Sequence, residues 1–120
     1  MSNEAESKID YIEIPVRDVN ASKRFFTELF GWDFVDYGPE YTSFNDGRMA
    51  GGLCKADTVA TGQTGSVLIV FYRRDLEAAR DAVVAAGGTI VKEIFEFPGG
   101  RRFHFTDPSG NEYALWSDSD

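Results

Sequence analysis

The chain has 120 residues, 42% of them hydrophobic and 27% charged, ordinary values for one globular domain with a modest core. A net charge of −8 disfavours a phosphate backbone, so no nucleic-acid partner is expected; no apolar run approaches bilayer length, so no membrane partner is expected either. The single cysteine, Cys54, excludes an intrachain disulfide, and the polar, acidic start MSNEAESK is unlike a signal peptide; both point to a cytoplasmic protein.

Residues 1–7 and 117–120 are polar, acidic and expected to fray. From Ile9 to Val16 the pattern alternates, with Ile12, Ile14 and Val16 on one face and Tyr11, Glu13 and Pro15 on the other, which predicts a half-buried strand. Asp18 or Asn20 caps a helix over Val19–Phe30, whose apolar stripe is Phe25, Phe26, Leu29 and Phe30 and whose stop is Gly31. Strands are predicted at about 32–37, 41–44 and 51–55, separated by Gly38-Pro39 and by Asn45-Asp46-Gly47. Residues 56–65, small and polar, form a linker. Then the order recurs. A strand at 67–72 is followed by a helix capped by Asp75 and ended by Gly87-Gly88, and by strands at about 89–95, 101–106 and 112–116.

The recurrence is visible in the letters. IEIPVRDVNASKRFFTELFG and IVFYRRDLEAARDAVVAAGG each read as strand, Arg-Asp-aliphatic turn and helix ending at glycine. The two aspartates and the two glycines share one spacing of 57 positions (75 − 18 and 88 − 31). The expected fold class is α+β. Two tandem βαβββ modules, over about 8–56 and 66–117 with the linker between, would form a cup-shaped eight-stranded sheet with helices on its convex face. The concave face suits a small organic ligand.

Asp18 with Phe25-Phe26 through Leu29-Phe30-Gly31-Trp32, then Asp75-Leu76, then Phe105-Thr106-Asp107-Pro108-Ser109-Gly110-Asn111, resembles the vicinal oxygen chelate superfamily over about Lys8–Trp116. That group includes glyoxalase I, bleomycin- and fosfomycin-resistance proteins and extradiol dioxygenases. The resemblance implies a cup floor where enzymes hold a divalent metal on the first and last strands of each module. It also implies a homodimer, because modules in that group often pair across chains. Here the implied positions are Tyr11, a glycine or leucine within Ala50–Cys54, Leu68 and Ala114. Leucine and alanine supply no donor and a neutral tyrosine is a poor one, so no metal and no other cofactor is expected. The Asp-Pro-Ser-Gly-Asn segment reads as a hairpin turn tied by Asn111, with no catalytic part.

In that hairpin the turn pairs Thr106 with Glu112, His104 with Ala114 and Arg102 with Trp116, leaving Phe103, Phe105, Tyr113 and Leu115 for the core. A slip of one residue would bury Arg102, His104 and Glu112 instead. The expected ligand face is therefore Tyr11, Glu13 and Pro15, then Leu68, Val70 and Tyr72, then Arg102, His104, Thr106, Glu112, Ala114 and Trp116.

His104 is a candidate acid/base or hydrogen-bond donor, set against a strand histidine satisfied by a neighbour. Glu13 and Glu112 are candidate bases or partners of a cationic ligand, set against ion pairs with Arg102 or another arginine. Tyr11, Tyr72 and Trp116 can stack a planar ligand or simply fill the cup. Cys54 reads as a small buried hydrophobe, and Gly51-Gly52 as a place of close strand packing. Two functions stay open: a metal-free binding protein of the bleomycin-resistance type for an aromatic or cationic molecule, or a metal-independent lyase or isomerase using His104 with Glu13 or Glu112. A metal-dependent lactoylglutathione lyase or dioxygenase fits the substituted positions less well.

Overall fold

The structure, a computed structural model, describes residues 6–119, so the fraying expected of residues 1–5 and 120 lies outside the described residues. The chain runs β1 (Tyr11–Val16), α1 (Val19–Phe30), β2 (Asp33–Asp36), β3 (Tyr41–Asn45), β4 (Ala50–Lys55), β5 (Ile69–Tyr72), α2 (Leu76–Ala85), β6 (Thr89–Phe97), β7 (Gly100–Thr106) and β8 (Glu112–Ser117). This is the βαβββ order twice. Hydrogen bonding groups the strands into two four-stranded sheets, β1-β4-β3-β2 and β5-β8-β7-β6, each with one parallel pair and two antiparallel pairs. The first strand of each module thus lies at a sheet edge beside the last strand of its own module.

Local chemistry explains the repeated unit. Asp18 accepts from the Ala21 N–H at 3.0 Å, and Asp75 accepts from the Ala78 N–H at 3.0 Å, so each helix begins with the same side-chain cap. Gly31 ends α1 in the left-handed region at φ 71°, and its N–H returns to the Thr27 carbonyl at 2.9 Å. In α2 the left-handed residue is Gly87, at φ 103°, and the Gly88 N–H closes on the Val83 carbonyl at 2.9 Å. Gly51, at the β1–β4 junction, has no room for a side chain, because a Cβ there would run into the Ile12 carbonyl and the Phe44 ring.

One apolar core joins the two modules. Ile14, Val16, Phe25, Phe26, Leu29 and Leu53 of the first pack in the same cluster as Leu76, Val83, Phe103, Phe105, Tyr113 and Leu115 of the second. Aromatic rings make the junction: Phe26 meets Tyr113 edge-on at 5.7 Å, and Phe30 meets Phe71 at 4.6 Å.

The Asp-Pro-Ser-Gly-Asn turn does more than close a hairpin. Asp107 accepts from the backbone N–H groups of Ser109, Gly110 and Asn111, and from the Asn111 amide and Tyr113 hydroxyl, at 2.7–3.0 Å. The turn so held reaches the other module. Asn111 donates to the Pro15 carbonyl at 2.6 Å and accepts from the Ala60 N–H at 2.7 Å, while the Arg17 N–H donates to the Ser109 hydroxyl at 2.8 Å. The C-terminal expectation needs correcting as well. Ser117 is fully buried in β8, and the hydroxyls of Ser117 and Ser119 both donate to the Arg74 carbonyl, so this end is anchored rather than frayed.

Candidate functional site

The β7–β8 register is Thr106 with Glu112, His104 with Ala114 and Arg102 with Trp116, as the alternation requires, and Phe103, Phe105, Tyr113 and Leu115 are all in the core. The opposite face therefore carries Arg102, His104, Glu112, Ala114 and Trp116 together. His104 is only 8% exposed. Its Nδ1 lies 3.0 Å from Glu112 Oε2, and the other Glu112 oxygen accepts from the Gly62 N–H at 3.0 Å. The Gly62 N–H, then the His104 hydrogen bond, hold the Glu112 carboxyl below its ordinary range. An ionised Glu112 can only accept, so Nδ1 carries the hydrogen between them, and in the neutral ring that leaves a lone pair on Nε2. That nitrogen is buried and has no hydrogen-bond partner among the described residues.

Glu112 also sets an expected pH response. A carboxylate whose folded-state pKa is depressed contributes stability above its ordinary range, and that contribution is lost as pH falls through the folded value. Glu112→Gln should flatten the acid limb of a plot of melting temperature against pH; a variant whose acid limb matches the parent's would contradict the assignment.

Around His104 the face is aromatic and cationic. Phe95 lies 5.9 Å from its ring. The Arg102 guanidinium sits over Phe95 at 5.4 Å and Phe97 at 5.7 Å, and the Lys92 ammonium sits over Phe95 at 4.5 Å. Phe97 meets Trp116 at 6.3 Å, which meets Tyr72 at 5.2 Å. Sequence reasoning missed Lys92, Phe95 and Phe97. Two register shifts in β6, between Ile90 and Lys92 and between Lys92 and Phe95, break the alternation that would have placed them. The surviving signal was the Phe95-Glu96-Phe97 alternation leading into the Pro98-Gly99 turn.

The other candidates fall elsewhere. Tyr11 and Glu13 lie on the first sheet in a cluster with Tyr41, whose hydroxyl donates to Glu13 at 3.0 Å and is hydrogen-bonded to the Tyr11 hydroxyl. Burial, then the Tyr11 and Glu13 hydrogen bonds, raise the Tyr41 hydroxyl above its usual range. Neither Glu13 nor Glu112 pairs with Arg102, which corrects that expectation: among the described residues Arg102 has no carboxylate partner. The structure pairs His104 with Glu112 and gives Glu13 a different partner. Val70, Tyr72 and Trp116 line an open hollow of about 660 Å³ with Asp46 and Arg48, turn residues of the first module that the sequence did not single out. Leu68 precedes β5, half-buried, and Ala114 is fully buried beside His104. Cys54 is half-buried with its thiol toward the Ile14 carbonyl at 3.6 Å, and burial raises that thiol's pKa. The segment read as a linker also takes part, since Gly62 holds Glu112 and the Ala60 carbonyl accepts from the Glu112 N–H at 2.8 Å.

The sequence pattern of the Glyoxalase/Bleomycin resistance protein/Dioxygenase superfamily matches residues 8–115. The chain belongs to this superfamily. Among its relatives, the anthracycline biosynthesis protein DauV of Streptomyces sp. (strain C5) is 32% identical over 117 residues, 82% of this chain and 42% of that protein. The Mycobacterium bovis protein named Putative glyoxylase CFP32 is 26% identical over 115 residues, 89% of this chain and 44% of that protein. The chain therefore spans less than half the length of these curated relatives. Solved structures share the superfamily fold. A glyoxalase-related enzyme from Fulvimarina pelagi superposes with TM-score 0.77 at 23% identity, covering 95% of this chain and 88% of that one. The E126Q mutant of the fosfomycin resistance protein FosX from Listeria monocytogenes, complexed with Mn(II) and 1S,2S-dihydroxypropylphosphonic acid, superposes with TM-score 0.77 at 18% identity, covering 95% and 91%.

For the metal that superfamily enzymes hold, the residues here are a poor match. Gly52 is the β4 position that faces Tyr11 and Tyr41, since a Cβ there would collide with the Tyr41 ring. The four implied positions are then Tyr11, Gly52, Leu68 and Ala114: one phenol, no other donor. Among the described residues no three His, Cys, Asp or Glu side chains gather as a metal site. These residues do not fit a divalent ion. Among the described residues, too, no helix is long and apolar enough to cross a membrane.

Proposed function

We propose that this superfamily member binds a small organic molecule on the open face of its second sheet, with no resident metal, as a cytoplasmic homodimer. The carrying observation is His104: a buried imidazole locked through Nδ1 to Glu112, with Nε2 unsatisfied. A buried nitrogen without a partner is costly, and a ligand hydroxyl or N–H would satisfy it. The aromatic rings beside it supply the apolar contact area that most small-molecule sites use. Superfamily members bind small molecules and often form dimers, which agrees with this reading.

The test is a thermal-shift panel of aromatic acids, phenols and amines on metal-analysed protein. At least one compound should raise the melting temperature, without added metal and less in His104→Gln than in the parent. A stoichiometric bound metal whose removal abolishes every shift would overturn the metal-free reading.

The same dyad favours one catalytic alternative, a lyase or isomerase in which Nε2 takes a substrate proton while Glu112 stabilises the imidazolium. Glu13 has no part in it, because it is engaged with Tyr41 on the other sheet. Turnover lost in both His104→Gln and Glu112→Gln, with binding retained, would favour this alternative over binding alone.

A further inference from the structure

We infer that the preferred ligand is a planar aromatic or enolic acid bearing a hydroxyl group, its carboxylate on Arg102 and its hydroxyl on His104 Nε2; this rests on the binding reading above and specifies its ligand class. Three observations converge on it.

Arg102 is the first. Its guanidinium lies over the rings of both Phe95 and Phe97, at 5.4 and 5.7 Å, its Nε is buried with no hydrogen-bond partner, and no carboxylate of the described residues reaches it. A pre-oriented, unneutralised guanidinium fork matches a carboxylate in geometry and charge.

His104 is the second. It stands two residues along the same strand and faces the same side, so the two Cα atoms are about 6.6 Å apart. With Nδ1 donating to Glu112, the neutral imidazole offers Nε2 as an acceptor, which suits a hydroxyl hydrogen.

The third is the set of groups between and around them. Phe95 touches both side chains, and Phe97 extends the ring surface from Arg102 to Trp116. Lys92, paired with His104 across β6–β7, adds a second cation. The carboxylate beside His104, Glu112, is already engaged by Gly62 and His104, so it has little left for a cationic ligand. A flat anion is therefore favoured on this face although the whole chain carries a net charge of −8.

The experiment measures dissociation constants by titration calorimetry for a matched set of naphthalenes. These are 3-hydroxy-2-naphthoate, 6-hydroxy-2-naphthoate, 3-methoxy-2-naphthoate, 2-naphthol and 2-naphthylmethylammonium. The better hydroxy acid should bind about tenfold or more tightly than 2-naphthol and the methoxy acid, and more tightly still than the ammonium compound. Arg102→Gln should erase the advantage of the acid over 2-naphthol, and His104→Gln the advantage of hydroxyl over methoxy. Both variants are checked for a parental circular dichroism spectrum, and Arg102→Lys serves as the conservative comparison, expected to retain part of the acid preference. Equal or tighter binding of 2-naphthol or the ammonium compound overturns the ligand class while leaving small-molecule binding intact. An unchanged ranking in both glutamine variants overturns the residue assignment. No binding by any of the five, where the thermal-shift panel has yielded a binder, overturns this inference and leaves the reading on which it rests intact.

Discussion

Asp107→Ala is expected to lose about 3–5 kcal/mol of unfolding free energy, measured by urea denaturation. Asp107 is 3% exposed and is the acceptor for three backbone N–H groups, an amide and a phenol. Truncation leaves those donors without their acceptor, and each unsatisfied buried donor costs about 1–3 kcal/mol before relaxation. The damage should spread beyond the turn. Asn111, positioned by Asp107, carries hydrogen bonds to Pro15 and Ala60, so the contact between β1 and the β7–β8 hairpin loosens with it. Asp107→Asn keeps one oxygen for the backbone donors and should fall between the parent and the alanine variant. A loss below about 1 kcal/mol for Asp107→Ala would mean that the turn is not the clamp described.

Phe26→Ala is expected to cost a similar amount, about 3–5 kcal/mol, for a different reason. Phe26 is fully buried, stacked on Trp32 at 4.5 Å and 7°, and edge-on to both Phe25 and Tyr113. Its removal opens a cavity where the first helix meets the second module's last strand. Because one core serves both modules, the variant should still unfold in a single step at a lower denaturant midpoint. The two tryptophans report on this. Trp32 packs in the shared core and Trp116 lies on the open face of the second sheet, so single-tryptophan versions should give coincident curves. Separate transitions for the two reporters would show that the modules fold independently.

Much of the architecture was legible because it is local. Alternation of Ile12, Ile14 and Val16 named the buried face of β1, Asp18 and Asp75 announced the helices, and Gly31 marked a stop where a left-handed residue is needed. The β7–β8 register was legible too, from the turn and because a slip of one residue would have placed Arg102, His104 and Glu112 in the core. These readings depend on one chain segment and its periodicity. By the same token, the residues at the positions where the resemblance implies metal ligands, Tyr11, Leu68 and Ala114, could be named from the sequence.

Where a bulge or a long-range contact decides the outcome, periodicity fails. Lys92 reaches the His104 face, and Phe95 comes level with Arg102, because β6 twice departs from regular pairing, which no alternation rule anticipates. The partner of His104 was undecided between Glu13 and Glu112 until sheet pairing placed Glu112 at 3.0 Å and put Glu13 against Tyr41. Arg102 shows the same division. Its position on the open face followed from its place in the strand, but that no carboxylate of the described residues pairs with it depends on where the acidic side chains of both sheets come to rest. Local chemistry along the backbone determined the elements and their faces; only tertiary packing decided which polar atoms of the described residues found partners and which, such as His104 Nε2, did not.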